Sequence, residues 1–168
     1  MSVLSKIYQT YTACLRNVVL TLAAITGGGI ILMAAITCSD VLMRLFGHPI
    51  VGIFDLVRIA GAVSMAAALP YTTAVKGHVA IEYFFQKLGR KGRVIVDSLS
   101  RLTSISFFIV LTFEAVRYGI KLRGTGEVTP TLQLSLFWVP WFIALCTGVM
   151  VLVIFHNLLH PGKGLIKP

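Results

Sequence analysis

The residues able to do chemistry in this 168-residue chain are few, and they cluster where apolar segments end. The first cluster is DVLMRLFGHPIVGIFDLVR, in which Asp40 and Arg44 stand four apart and Asp55 and Arg58 three apart. On a helix both spacings place the two side chains on one face, within reach of an ion pair. The link through Gly47, His48, Pro49 and Gly52 is short enough to bring the two pairs close together. As surface salt bridges they would contribute little; as a charged staple they would fix a hairpin or meet a partner. The second cluster, KGHVAIEYFFQKLGRKGR, holds His78 and Glu82 four apart among basic and aromatic residues. A lone His–Glu pair is more often a structural contact than a metal or proton site. Asp97 and Arg101, again at i,i+4, lie inside an apolar stretch and can neutralise each other there. Glu114 has Arg117 within similar reach.

Nothing else in the chain has the spacing of a catalytic device. There is no phosphate-cradling glycine loop, zincin helix, nucleophile elbow or paired-cysteine metal site. Cys14, Cys38 and Cys146 are odd in number and lack metal-type spacing, so they read as unpaired, packed thiols. No catalytic, cofactor or metal residue is expected, and the chain reads as no enzyme.

The elements that must position these charges are set by two long runs without formal charge, Asn17 to Ser39 and Val128 to Gly162. Crossing a bilayer takes about 20 apolar residues of helix. Mean hydropathy is +0.87 and only 12% of residues are charged, about half the share usual in soluble domains. The expected fold is all-α: an integral membrane protein of four transmembrane helices with a cytoplasmic interfacial helix and short loops. The whole chain, 1–168, reads as a single membrane domain with spans at about 17–39, 54–75, 94–116 and 131–155. The first span is too long for a signal peptide's apolar core and reads as a retained helix. Residues 2–16 are amphipathic, suiting a segment that lies in the interface before it.

Within the first span, Ala23 with Gly27, or Ala24 with Gly28, has the small-xxx-small spacing of close helix contact. In the second, Ala60, Ser64 and Ala68 share a face, and Pro70 is expected to kink the helix. In the segment 76–93, Val79, Ile81, Phe84, Phe85 and Leu88 can face acyl chains while Lys87, Arg90, Lys91 and Arg93 face anionic headgroups. Trp138 and Trp141, near one end of the fourth span, mark the outer interface. The net charge of +9 has no nucleic-acid motif beside it, and the basic residues fall in short segments between apolar runs. Membrane lipids, not nucleic acid, are the expected anionic partner. With both termini inside, ten basic residues are cytoplasmic: Lys6, Arg16, Lys76, Lys87, Arg90, Lys91, Arg93, Arg101, Lys163 and Lys167. Five, Arg44, Arg58, Arg117, Lys121 and Arg123, lie outside. That asymmetry favours cytoplasmic termini.

Asp40 and Arg44 after a first span, then FGHPIVG and Asp55-Leu56, resemble the small membrane subunit (DctQ-type small permease) of tripartite ATP-independent periplasmic, or TRAP, transporters. GHVAIEYF after the second span and TPTLQLSLFWVPWF leading into the fourth are similar to the same family, and the resemblance covers nearly the whole chain. It implies a non-catalytic subunit of a sodium-coupled secondary uptake transporter in the bacterial inner membrane, for a small solute such as an organic acid. It also implies two partners, a large membrane subunit that carries the transport sites and a periplasmic solute-binding protein. Asp40, Arg44, Asp55, Arg58, His78, Glu82, Trp138 and Trp141 are then candidate partner-interface or structural positions, and Asp97 with Arg101 the intramembrane pair. The residues themselves leave two other classes open. One is a haem-bearing membrane anchor of a respiratory enzyme, using His78 and His156. The other is a small dimeric exporter, which would place an unpaired carboxylate within a span.

Overall fold

The computed structural model describes the backbone of residues 3–75 and 90–159 and the side chains of 10–75, 96 and 98–158. Those residues form four helices: α1 (Val3–Leu45), α2 (Ile53–Ala74), α3 (Arg90–Thr125) and α4 (Trp138–Leu159). All four are long and apolar enough to cross a membrane. The chain is an all-α, multi-pass membrane protein.

Two antiparallel hairpins, α1–α2 and α3–α4, are joined where α2 packs against α4. Two small clusters form the core. Leu15, Val19, Ala74 and Val153 make the first, and Leu22, Ala66, Ala67 and Cys146 the second. Both draw on α1, α2 and α4, so α3 stands outside this core, against α4. The short side chains on α2 and α4 let the helices approach closely, which in a bilayer replaces the hydrophobic drive that lipid cannot supply.

Helix ends differ from the expected spans for identifiable reasons. Residues 2–16, read as a separate interfacial stretch, are continuous with the span from Val3 onward, because nothing before Gly27 breaks the backbone hydrogen-bond ladder. At 43 residues, α1 is about 65 Å long, twice the hydrocarbon thickness of about 30 Å. Likewise α3 runs nine residues past the expected end at Val116, to Thr125, and stops at Gly126, whose φ of 66° no β-carbon opposes. The fourth helix begins at Trp138 rather than at 131. Residues 127–137 instead form a compact turn, and Pro140 then occupies the helix's first turn, where its missing N–H is no loss. Pro70 is fully buried inside α2, and the Thr72 and Thr73 hydroxyls donate to the nearby carbonyls of Leu69, at 2.9 and 3.0 Å. The basic segment 76–89, with His78 and Glu82, lies outside the described residues, and Arg90–Arg93 open α3.

The α1–α2 crossing is set by Gly29, not by the Gly27 or Gly28 of the small-residue pairs. Gly27 and Gly28 face open space, whereas a β-carbon on Gly29 would overlap the Ser64 side chain. Thr26 reinforces the crossing by donating to the Ser64 carbonyl at 3.2 Å. Gly29→Leu is therefore expected to lower stability by about 1–3 kcal/mol through overpacking. Gly28→Leu should stay within about 0.5 kcal/mol, the range of open surface sites. Unfolding of the two variants in mixed detergent micelles measures the difference.

Candidate functional site at the meeting of the two turns

The C-terminus of α1, the N-terminus of α2 and the α3–α4 turn converge at one end of the bundle. A Schellman motif closes α1: Gly47, at φ 76°, donates to the Arg44 carbonyl at 3.0 Å and His48 to the Met43 carbonyl at 3.0 Å. The chain then turns back to Gly52, which caps α2 in the left-handed region at φ 81°. Glycine is required there on two counts, since a β-carbon would also overlap Leu132.

Asp40 is buried although it lies one turn from the end of α1. One carboxylate oxygen accepts from Arg44 Nε at 2.6 Å and the other from the Ile50 backbone N–H at 3.0 Å. The carboxylate thus holds the interhelix link to α1, while the Arg44 side chain stays 49% exposed. A buried carboxylate at the negative end of a helix is unfavourable unless so compensated.

Asp55 does not pair with Arg58. It is buried in the first turn of α2, and its Oδ2 accepts the backbone N–H groups of Thr131 and Leu132, each at 2.9 Å. Arg58 is exposed nearby and adds only through-space attraction. The two acid–base pairs therefore do not form one cluster; two carboxylates organise two different turns. The α3–α4 turn that Asp55 grips is itself well bonded. Thr129 donates its N–H to the Leu134 carbonyl at 2.9 Å and accepts the Leu134 N–H on its hydroxyl at 3.0 Å. A bridge between Val128 and Ser135 closes the turn, with Gln133 in the left-handed region at φ 52°.

Trp138 and Trp141 stand on the first turn of α4, both partly exposed. The Trp141 indole rests against α3 over Gly119, where a β-carbon would overlap the ring, and meets Phe137 edge-on at 5.6 Å. Deeper in the same helix pair, the Thr112 and Thr147 hydroxyls share a hydrogen bond of 2.8 Å.

At the opposite end of the bundle, Arg101 Nη1 donates to the Asn157 carbonyl at 2.5 Å, tying α3 to the end of α4. The side chain of its expected partner Asp97 lies outside the described residues. His156 is buried beside Tyr11, their rings 6.4 Å apart. Glu114 pairs with Arg117 at 3.0 Å. Among the described residues no group of three or more His, Cys, Asp or Glu side chains is placed to hold a metal. The residues that sequence reasoning missed are Thr129, Thr131, Leu132, Gly119 and Gly29. Apart from the Thr-Pro-Thr turn signal at 129–131, no local pattern marks them, because their partners are remote in sequence.

Two turns at one end of the bundle, each braced by a buried carboxylate, suit a presented surface better than a reaction centre. The model of one protein family, described as tripartite ATP-independent periplasmic transporters, DctQ component, matches residues 33–163. No curated protein and no solved structure gives a match. The matched segment holds both braced turns, both tryptophans and all of α2, α3 and α4, and on that match the chain belongs to the DctQ component family of tripartite ATP-independent periplasmic transporters.

Proposed function

We propose that this chain is the non-catalytic small permease subunit of a sodium-coupled uptake transporter for a small organic acid. It pairs with the large membrane subunit as a fixed scaffold and offers its braced turns to the periplasmic binding protein. The observation that carries the reading is the family match across residues 33–163. The architecture supports it. Transporters that work alone place discontinuous helices and an ion site near the bilayer midplane, whereas α1 to α4 are each one continuous helix. Asp40, Arg44, Asp55, Trp138 and Trp141 act, in this reading, at the outer surface. Arg58, exposed beside them, contributes charge there, and His78 and Glu82 belong to the cytoplasmic segment that meets lipid headgroups.

The same reading places the chain in the bacterial inner membrane with both termini cytoplasmic, on the strength of the basic asymmetry and the tryptophan pair. An impermeant thiol reagent added from the periplasm should label Thr125→Cys and spare Gly89→Cys, each in a chain whose native cysteines are replaced. Labelling at Gly89→Cys would invert the orientation. Co-expression with its large subunit should then yield a complex that survives purification through a tag on this chain; recovery of this chain alone would sink the scaffold role.

A further inference from the structure

Helix α3 turns a polar seam away from the other described helices. Its inner side is fixed by Thr112 against Thr147, by Gly119 under Trp141 and by buried Leu122. Counting by helical period from those contacts, Thr103, Ser106, Val110, Glu114, Arg117 and Lys121 fall along the opposite side. Their spacings of three and four residues trace one line down the helix. All six are exposed, the Glu114 and Arg117 side chains at 61% and 67%. Next to Thr103 and Ser106 the surface dips into a shallow depression bordered by Leu102 and Phe107.

The depth of this seam is what makes it informative. Thr112 is level with Thr147, which lies nine residues along α4 from Trp138, or about 13 Å at 1.5 Å per residue. Glu114, two residues nearer the tryptophan end, sits about 10 Å inside the level where an interfacial tryptophan belongs. Ser106 and Thr103 lie farther along the helix, about 22 and 27 Å from that level and past the midplane of a core about 30 Å thick. Ionisable residues at such depth face a bundle interior, a partner or water, not acyl chains. Here the bundle interior is on the other side of the helix.

We propose that this seam of α3 is the surface covered by the large membrane subunit, which meets it with hydrogen-bonding side chains and a carboxylate opposite Lys121. The proposal rests on the small-subunit reading above. Charge favours that occupant over a second copy of this chain. Two copies inserted in the same direction and related by a two-fold axis along the membrane normal would set Lys121 against Lys121 and Arg117 against Arg117 at equal depth. Glu114 is already engaged by Arg117, so the seam carries one excess positive charge and suits an acidic partner. Val110 within the line, with Phe107 and Phe113 on either side of it, supplies packing area around the polar residues.

The test uses the chain co-expressed with its large subunit, carrying the photo-cross-linker p-benzoyl-phenylalanine in place of Phe107 or Val110. Irradiated membranes should yield an adduct of this chain with the large subunit from both positions, and much less from Met65, exposed on α2. Ser106→Leu makes α3 more compatible with lipid and should insert normally, yet lower recovery of the large subunit about tenfold, the effect of about 1.4 kcal/mol. Adducts to lipid alone, or to a second copy of this chain, from Phe107 and Val110 would overturn the proposal. If the unaltered chain recovers no large subunit, the small-subunit reading itself fails. If it does recover the subunit but neither probe reaches it, only the assignment of this face is wrong.

Discussion

Asp55→Ala is expected to free the α3–α4 turn while all four helices stay in place. Among the described residues the buried carboxylate is the only acceptor seen for the Thr131 and Leu132 N–H groups, and its loss removes the one tie between this exposed turn and the start of α2 that those two donors make. Charge-assisted bonds such as these are the stronger kind, and the N–H groups they release become open to solvent. Hydrogen exchange at Thr131 and Leu132 should therefore speed up by at least about tenfold, while amides within α2 and α4 keep their protection. Asp55→Asn retains an amide oxygen at the same place and should exchange at an intermediate rate. With the freed turn on the surface proposed to meet the binding protein, uptake by the assembled transporter is expected to fall in the same order. Unchanged exchange in Asp55→Ala would show that the turn is held by its own internal bonds, Thr129 to Leu134 above all.

Arg44→Ala should act on the other turn and on assembly. It removes the Nε–H that neutralises Asp40 and leaves a buried carboxylate with one backbone donor, from Ile50, at the negative end of α1. Insertion should be normal, since this residue is half exposed near the end of the span and a charge there reaches water. Association is a different matter. If the exposed part of Arg44 meets a partner's charge in a partly dry interface, losing it should weaken the complex by more than about tenfold. Arg44→Lys keeps the charge but not the planar donor geometry, and should recover only part of the loss. Lys87→Ala, in the basic segment assigned to the cytoplasmic face, should change neither co-purification nor uptake. Equal co-purification and uptake in Arg44→Ala and the unaltered chain would reduce the pair to a surface salt bridge.

The four-helix, membrane-embedded character was legible in composition and run length, because a bilayer imposes a minimum apolar length that nothing else mimics. Helix ends were less legible. Charges such as Lys6 and Arg16 mark where hydrocarbon ends, but backbone hydrogen bonding continues past that boundary, so α1 and α3 overrun the apolar runs that announced them. The opposite error occurred at α4. The stretch TLQLS at 131–135 carries no charge and reads as span, yet its backbone is committed to Asp55 and to its own turn. Local spacing brought Asp40 and Arg44 together on paper, since their contact lies within one helix. The same rule mispaired Asp55 with Arg58, because the true partners are 76 and 77 positions away. Three consecutive glycines cannot reveal which one faces a neighbour. Each is turned by about 100° from the last, and only the position of Ser64 selects Gly29.

The central claim, that this chain is an obligate partner and not a transporter by itself, is tested most directly in proteoliposomes. Four preparations would be compared under an imposed sodium gradient: this chain alone, its large subunit alone, the two together, and the two together without the binding protein. The solute would be supplied bound to the cognate binding protein in every preparation but the last, which would receive it free. The account predicts uptake only where both membrane subunits and the binding protein are present. Solute uptake by vesicles holding this chain as their only membrane protein would contradict it.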